Sequence, residues 1–364
     1  MTVKLRVGVI GANLQGSWGV WAHLPALAAL DGFEATAVAT SHIDSARATA
    51  GRFGIAYAFD DPRALATCPD VDVVAICVRV PAHRALVMEA IDAGKHVYCE
   101  WPLGRDTAEA AELARTVEAK DVVHMVGLQS RSSPVLAYVR DLIAEGAIGT
   151  VRSVGFTHSS DWISAPYPSM AYLHDRSSGA HFLSIPGGHS IDALCWLLGE
   201  FDTLSATVKT AVRDLVMVGT GETLTRTSAD QIVVQGELAG GVIASVRLSG
   251  ASSPGIGVRM EISGDTGDLE ISAYPGERGI QMSALRLRKS VGIGELADIA
   301  VPERYYHAPA AIRQGPALNV AEAYVRLADV IAGRGGAIPD FHEAVARHRT
   351  LDRIEEAARS GCRL

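Results

Sequence analysis

Leu5 to Gly19 reads LRVGVIGANLQGSWG, and the reading of the whole chain turns on it. Leu5-Arg6-Val7-Gly8-Val9-Ile10 is an apolar, β-branched run suited to a strand buried on both faces. Gly11 ends the run, Ala12 to Gly16 is short and flexible, and from Ser17 to Leu30 the pattern turns helical. Strand, glycine turn and helix together aim backbone N–H groups and the positive end of a helix at one point, where a pyrophosphate can sit. Gly11 and Gly16 hold the first and third positions of G-x-G-x-x-G, and Asn13, the residue most tolerant of positive φ after glycine, holds the second. A bound nicotinamide dinucleotide is therefore the working expectation, with Leu14 and Trp18 beside the glycines.

The rest of the composition is consistent with a packed two-domain protein. Its 364 residues are 48% hydrophobic and 20% charged. A net charge of −8 gives no reason to expect nucleic acid or an anionic membrane as partner. The five cysteines (Cys68, Cys77, Cys99, Cys195, Cys362) form no C-x-x-C pair, which speaks against a disulfide framework or zinc knuckle and for a reducing compartment. The N-terminus runs straight into the first strand and no apolar run of about eighteen residues follows, so a soluble, cytoplasmic protein is expected.

Outward from the first turn, strands and helices alternate. Phe33 to Thr40 reads as a second strand and Ile43 to Phe53 as its helix. At that strand's tip a carboxylate would bind both ribose hydroxyls of NAD and repel a 2′-phosphate. The tip here is Thr40-Ser41-His42, with Arg47 a turn later and Asp44 as the first acid. Hydroxyls and positive charge suit a 2′-phosphate, so NADP and NAD both stay open; alternatively Ser41 caps the helix. Val71 to Val78 is a third strand, followed by Arg79 and by His83 near a helix start. His96 to Cys99 is a short strand with Glu100-Trp101-Pro102-Leu103 at its tip, and Val122 to Leu128 is another. This is the α/β pattern of a doubly wound parallel Rossmann sheet, assigned to residues 1–128. Ligands bind such sheets at the C-terminal strand tips. The cofactor-binding set is accordingly Gly11, Asn13, Leu14, Gly16, Trp18, Ser41, His42, Arg47, Val78, Arg79, His83, Glu100, Trp101 and Gln129. Residues 129–364 read as a second, α+β domain on a largely antiparallel sheet. It has an apolar helix near His189 to Leu198, strand-like sequence from Thr203 to Ser283, and two closing helices, Ala317 to Ile331 and Phe341 to Arg359.

Several segments, among them VGVIGANLQGSW, HVYCEWPL, GGHSIDALCWLLG and GDTGDLEI, resemble the glucose–fructose oxidoreductase/inositol dehydrogenase (Gfo/Idh/MocA) family. Ser17-Trp18, Glu100-Trp101, Leu128-Gln129 and Gly188-His189-Ser190-Ile191-Asp192 are most similar to its fungal galactose-pathway repressor-like branch. The resemblance implies NAD(P)-dependent oxidation or reduction of a sugar, glycoside or cyclitol. It implies E-K-P at the strand tip, with a lysine that orients substrate and assists proton transfer, and an Asp four residues before a catalytic His. This chain has Glu100-Trp101-Pro102 and Ile185 in those places. His189 matches the catalytic histidine and is the surviving acid/base candidate. Asp192 lies a turn further on, positioned to orient substrate or His189 or to serve structure, and Tyr172, in the polar loop before that helix, is a candidate to line the same crevice; both stand beside His189 as catalytic candidates. Two readings follow: an oxidoreductase with a small carbohydrate-like substrate, or a dinucleotide-binding regulator without turnover, as the repressor-like branch implies. Relatives imply a homodimer or homotetramer.

Overall fold

The computed structural model describes residues 4–164, 166–253, 255–273 and 279–364. Residues 1–3, on which the reading of the N-terminus rests, lie outside them. In chain order come β1 (Leu5–Ile10), α1 (Leu24–Ala29), β2 (Phe33–Ala39), α2 (Ile43–Phe53), β3 (Tyr57–Phe59) and α3 (Pro62–Ala66). Then follow β4 (Val73–Ile76), α4 (His83–Asp92), β5 (His96–Glu100), α5 (Thr107–Val117) and β6 (His124–Gly127). These strands pair parallel in the order β3-β2-β1-β4-β5-β6. Val7, Val9, Val73, Val74, Ala75 and Ile76 are fully buried, as strands covered on both faces require. The order reverses between β1 and β4, so the Gly11 turn stands at the switch point where such sheets take their ligands. The expected doubly wound sheet is present. The sequence reading passed over β3, whose three residues are too few to show a period.

The chain continues through α6 (Pro134–Ala144), β7 (Val151–Ser160), α7 (Gly188–Leu198), β8 (Phe201–Lys209), β9 (Asp214–Val216) and β10 (Thr223–Thr225). Next are β11 (Gln231–Leu238), β12 (Val242–Gly250), β13 (Val258–Gly264), β14 (Asp268–Ala273), β15 (Leu285–Lys289) and β16 (Ala297–Asp298). Two helices, α8 (Ala317–Ile331) and α9 (Phe341–Ser360), close it. The second sheet runs β16-β15-β14-β13-β7-β12-β11-β8 and is antiparallel except between β7 and β12. On β7 the buried residues are Val154, Phe156, His158 and Ser160, a period of two that turns two polar side chains inward with two apolar ones.

The chain folds as two compact units, 1–129 with 306–346 and 130–305 with 347–364. This corrects the expectation of one continuous second domain over 129–364. Residues 306–346 complete the first unit because α8 carries an apolar face with Tyr324 at its centre. The Tyr324 ring lies 5.6 Å from His23, 5.4 Å from Phe33 and 5.2 Å from Tyr98. Beyond the helix, Pro339 O accepts the Val126 N–H of β6 at 2.8 Å. Periodicity reveals the helix but not the surface on which it docks. Among the described residues no helix is long and apolar enough to cross a membrane.

Candidate functional site

The first unit offers a turn built from backbone. Gly11 has φ +94°, and a Cβ there would fall 2.4 Å from Cys77 O, so only glycine fits. Gly16 has φ +104°. Asn13 and Ser17 shape the loop from within: Ser17 Oγ accepts the Asn13 N–H at 2.8 Å, and Asn13 Oδ1 accepts the Gln15 N–H at 2.9 Å. Among the described residues the N–H groups of Leu14 and Gly16 have no intramolecular partner, which is what an anion-accepting turn needs. A Cβ on Gly19 would lie 3.1 Å from the Ala12 Cα. Close helix–strand packing therefore falls to Gly19, outside the fingerprint as read. A π-type turn, Gly19–His23, with Leu24 N–H donating to Gly19 O, leads into α1. Trp18 packs half-buried against the core.

The other cofactor candidates of this unit follow the C-terminal ends of β2, β4, β5 and β6. At the β2 tip Thr40 and Ser45 pair with each other and with His42 O, and α2 starts at His42 without a side-chain cap. Ser41 is thus not the cap, and Ser41, His42 and Arg47 are all exposed. Val78 is half-buried and Arg79 exposed. His83 is 1% exposed, with Pro102 O 2.8 Å from Nδ1 and Val78 O 3.0 Å from Nε2. Burial holds its pKa below the ordinary value. It ties two strand tips together through both ring nitrogens. Glu100 is held by His23 Nε2 at 2.8 Å and by the Gln129 amide, while His23 Nδ1 lies 2.8 Å from the Tyr324 hydroxyl. A Cβ on Gly127 would lie 2.7 Å from Glu100 Oε2, so the carboxylate also fills the space that glycine leaves. Trp101 is 4% exposed. The His23–Glu100–Gln129 chain was invisible in sequence, since its members are 77 and 29 positions apart.

The second unit offers a site built from side chains. A cavity of about 370 Å³ is lined by His158, Ser160, Trp162, Tyr167, Ile185 and Gln281, with Met170, Leu173, Pro186 and Met282 completing apolar walls. His158 Nδ1 is 2.9 Å from Ser190 Oγ. Burial, reinforced by neighbouring His189, lowers the His158 pKa to about 4. Ile185 and Pro186 belong to a second π-type turn, Leu183–Gly187, which runs into α7. His189 follows in the first turn of that helix, 4% exposed. Tyr172 sits half-buried in the short turn Pro168–His174. The sequence reading named none of Ser160, Trp162 and Gln281. The one available signal was the alternation that places His158 and Ser160 in phase with Val154 and Phe156.

Asp192 is not poised over the cavity. It is fully buried, takes Arg131 Nη2 at 2.8 Å and Arg131 Nε at 3.0 Å, and is reached by Arg347 Nε at 3.2 Å. Arg347 continues to Glu200 at 2.7 Å. Burial alone would push the Asp192 pKa up; the two guanidiniums outweigh it and leave the carboxyl below its usual range. Asp192 is thus tied into a buried ion-pair network. Among the described residues no cluster of His, Cys, Asp or Glu is arranged to hold a metal ion.

Residues 5–128 match the family described as "Oxidoreductase family, NAD-binding Rossmann fold", and residues 134–273 match "Gal80p, C-terminal domain". The chain is 33% identical over 212 residues to the dehydrogenase aclE of Aspergillus oryzae, covering 57% of this chain and 58% of that protein. It is 32% identical over 216 residues to the levoglucosan dehydrogenase of Pseudarthrobacter phenanthrenivorans, covering 57% and 54%. These alignments thus span a little over half the length of either relative. In fold it is similar to a super-repressor mutant of Gal80p from Saccharomyces cerevisiae, with a TM-score of 0.86, 22% identity, and 100% and 98% of the two chains covered.

Proposed function

We propose that this chain, which belongs to the Gfo/Idh/MocA oxidoreductase family through residues 5–128 and has a Rossmann unit of the NAD-binding type, is an NAD(P)-dependent oxidoreductase of a sugar, glycoside or cyclitol. The observation that carries the proposal is the second unit's cavity, where hydroxyl-binding groups (His158, Ser160, Gln281) meet aromatic faces (Trp162, Tyr167), the mixture a ring polyol needs. The Gly11–Gly16 turn holds the pyrophosphate on its backbone N–H groups, and Ser41, His42 and Arg47 meet the adenine ribose. When bound, the nicotinamide supplies or takes the hydride. His189 carries the proton of the reacting oxygen. Trp101, lacking any basic atom, stands where the family lysine is expected and cannot take over its proton transfer.

A second reading has its own support. Trp101 and Ile185 remove two proton-handling groups at once, and residues 134–273 match the Gal80p C-terminal domain, so a dinucleotide-binding regulator without turnover is the alternative. The test titrates NADH and NADPH by nicotinamide fluorescence, then screens sugars, glycosides and inositols for turnover with His189→Ala as control. Turnover that His189→Ala abolishes supports the enzyme. Coenzyme binding with no turnover across the panel supports the regulator.

A further inference from the structure

We infer that the second unit contains an internal anion site, a place for one halide-sized ion against the Nε–Nη2 edge of the Arg226 guanidinium, closed by Ser228 and His174. The inference is independent of the oxidoreductase reading.

In Thr225-Arg226-Thr227-Ser228-Ala229-Asp230 burial alternates: Arg226, Ser228 and Asp230 are buried, while Thr225 and Thr227 are exposed. Asp230 accepts a hydrogen bond from Arg226 Nη1 at 2.7 Å and others from the Ala211 and Val212 N–H groups at 2.8 and 2.9 Å. Arg226 Nε and Nη2 are buried and have no hydrogen-bond partner among the described residues. Together they form an edge of the guanidinium that grips an anion through two parallel N–H groups. His174 lies alongside, its carbonyl accepting the Thr227 and Ser228 N–H groups at 3.1 and 3.2 Å. Ser228 Oγ and His174 Nδ1 are likewise buried without a partner among the described residues.

Charge names the ligand class. Burial pulls the Arg226 pKa below its ordinary value, and the opposing pull of Asp230 does not make up the difference. Burial first, and then Arg226, lowers His174 to about 4. Both groups are pressed toward losing positive charge, a condition that an added anion reverses. The neighbouring charges are engaged elsewhere: Asp175 with Ser177 and Thr227, and Arg176 with Glu355. His181 feels Glu355, Arg176 and Asp175. Arg226 and His174 are each 3% exposed and Ser228 is fully buried, which leaves no way out for an organic tail. An anion there favours protonated His174, so halide and proton are taken up together; with His174 charged, two cations face Asp230 and the ion. The turn Pro168–His174 also carries Met170 and Leu173 into the cavity wall, which the ion would brace.

The test uses the full chain and sodium bromide or chloride, with gluconate as the bulky control. Crystals grown in bromide should show an anomalous peak in contact with Arg226 Nε and Nη2. In solution, replacing gluconate by chloride at constant ionic strength should raise the unfolding midpoint by about 4 °C. Halide affinity should be at least threefold tighter at pH 6 than at pH 8. Ser228→Ala and His174→Phe, which keep the Arg226–Asp230 pair, should each weaken halide binding three- to tenfold, and His174→Phe should also abolish its pH dependence. Arg226→Lys keeps the charge without the two-pronged edge and should lose the peak. An ordered water with no bromide at the site overturns the inference. So does a chloride effect that Ser228→Ala and His174→Phe leave unchanged.

Discussion

The turn after β1 and the cavity of the second unit are made of different materials. The turn is backbone: two positive-φ glycines, a loop folded by Asn13 and Ser17, and, among the described residues, the N–H groups of Leu14 and Gly16 without an intramolecular partner. The cavity is side chains, drawn from β7 and the loop after it, from the π-type turn before α7, and from residues 279–282. A backbone site tolerates almost any neighbour but no change of conformation. A side-chain site tolerates backbone drift but not the loss of a single imidazole. Their supports differ accordingly: the turn leans on parallel strands buried on both faces, and the second unit on buried ion pairs, Asp192 with Arg131 and Arg347, and Arg226 with Asp230 at 2.7 Å.

Four measurements sharpen or break this contrast. Asp192→Asn removes the buried anion that Arg131 and Arg347 share, and should cost about 3–5 kcal/mol in urea unfolding. Below its new transition NADH should still bind; a loss of coenzyme affinity in the folded variant would break the separation drawn here. Gly11→Ala forces a Cβ against the Cys77 carbonyl and should lower NADH affinity on the order of 100-fold, while binding of neutral polyols in the cavity persists.

Acid should act most strongly through the second unit. His158, His174 and His181 all have pKa values lowered to about 4, each by burial first, then respectively by His189, by Arg226, and by Arg176 against the opposing pull of Glu355 and Asp175. Because the unfolded chain binds protons near pH 6.5 and the folded one does not, their contribution is full above that value. It is lost progressively as pH falls toward 4. For His158 the loss at pH 5 is about 2 kcal/mol, read as the difference in acid sensitivity between wild type and His158→Gln. The smallest effect is Arg47→Ala, which should weaken NADPH about fivefold and leave NADH unchanged if the exposed β2 tip meets a 2′-phosphate.

The same contrast decides what could be read in the chain. The first unit's sheet and turn were legible because their signals are local: a buried strand, a glycine at a forced φ, a helix start. The antiparallel character of the second sheet was legible for the same reason. The surroundings of His83 and Asp192 were not legible because a polar residue near a helix start looks alike whether it faces a ligand, two carbonyls or two arginines. Only the fold tells which. Ser160 and Gln281 were out of reach, being 121 positions apart and joined only by the cavity they share.

The return of residues 306–346 to the first unit has a practical corollary for recombining this protein with its relatives. A single crossover after residue 129 would not exchange a domain: it would mate a foreign α8 with His23, Phe33 and Tyr98, replacing the aromatic partner those rings enclose. A clean swap needs three joints, near 129, 305 and 346. In a lineage that shuffles such genes, the two halves are expected to travel together.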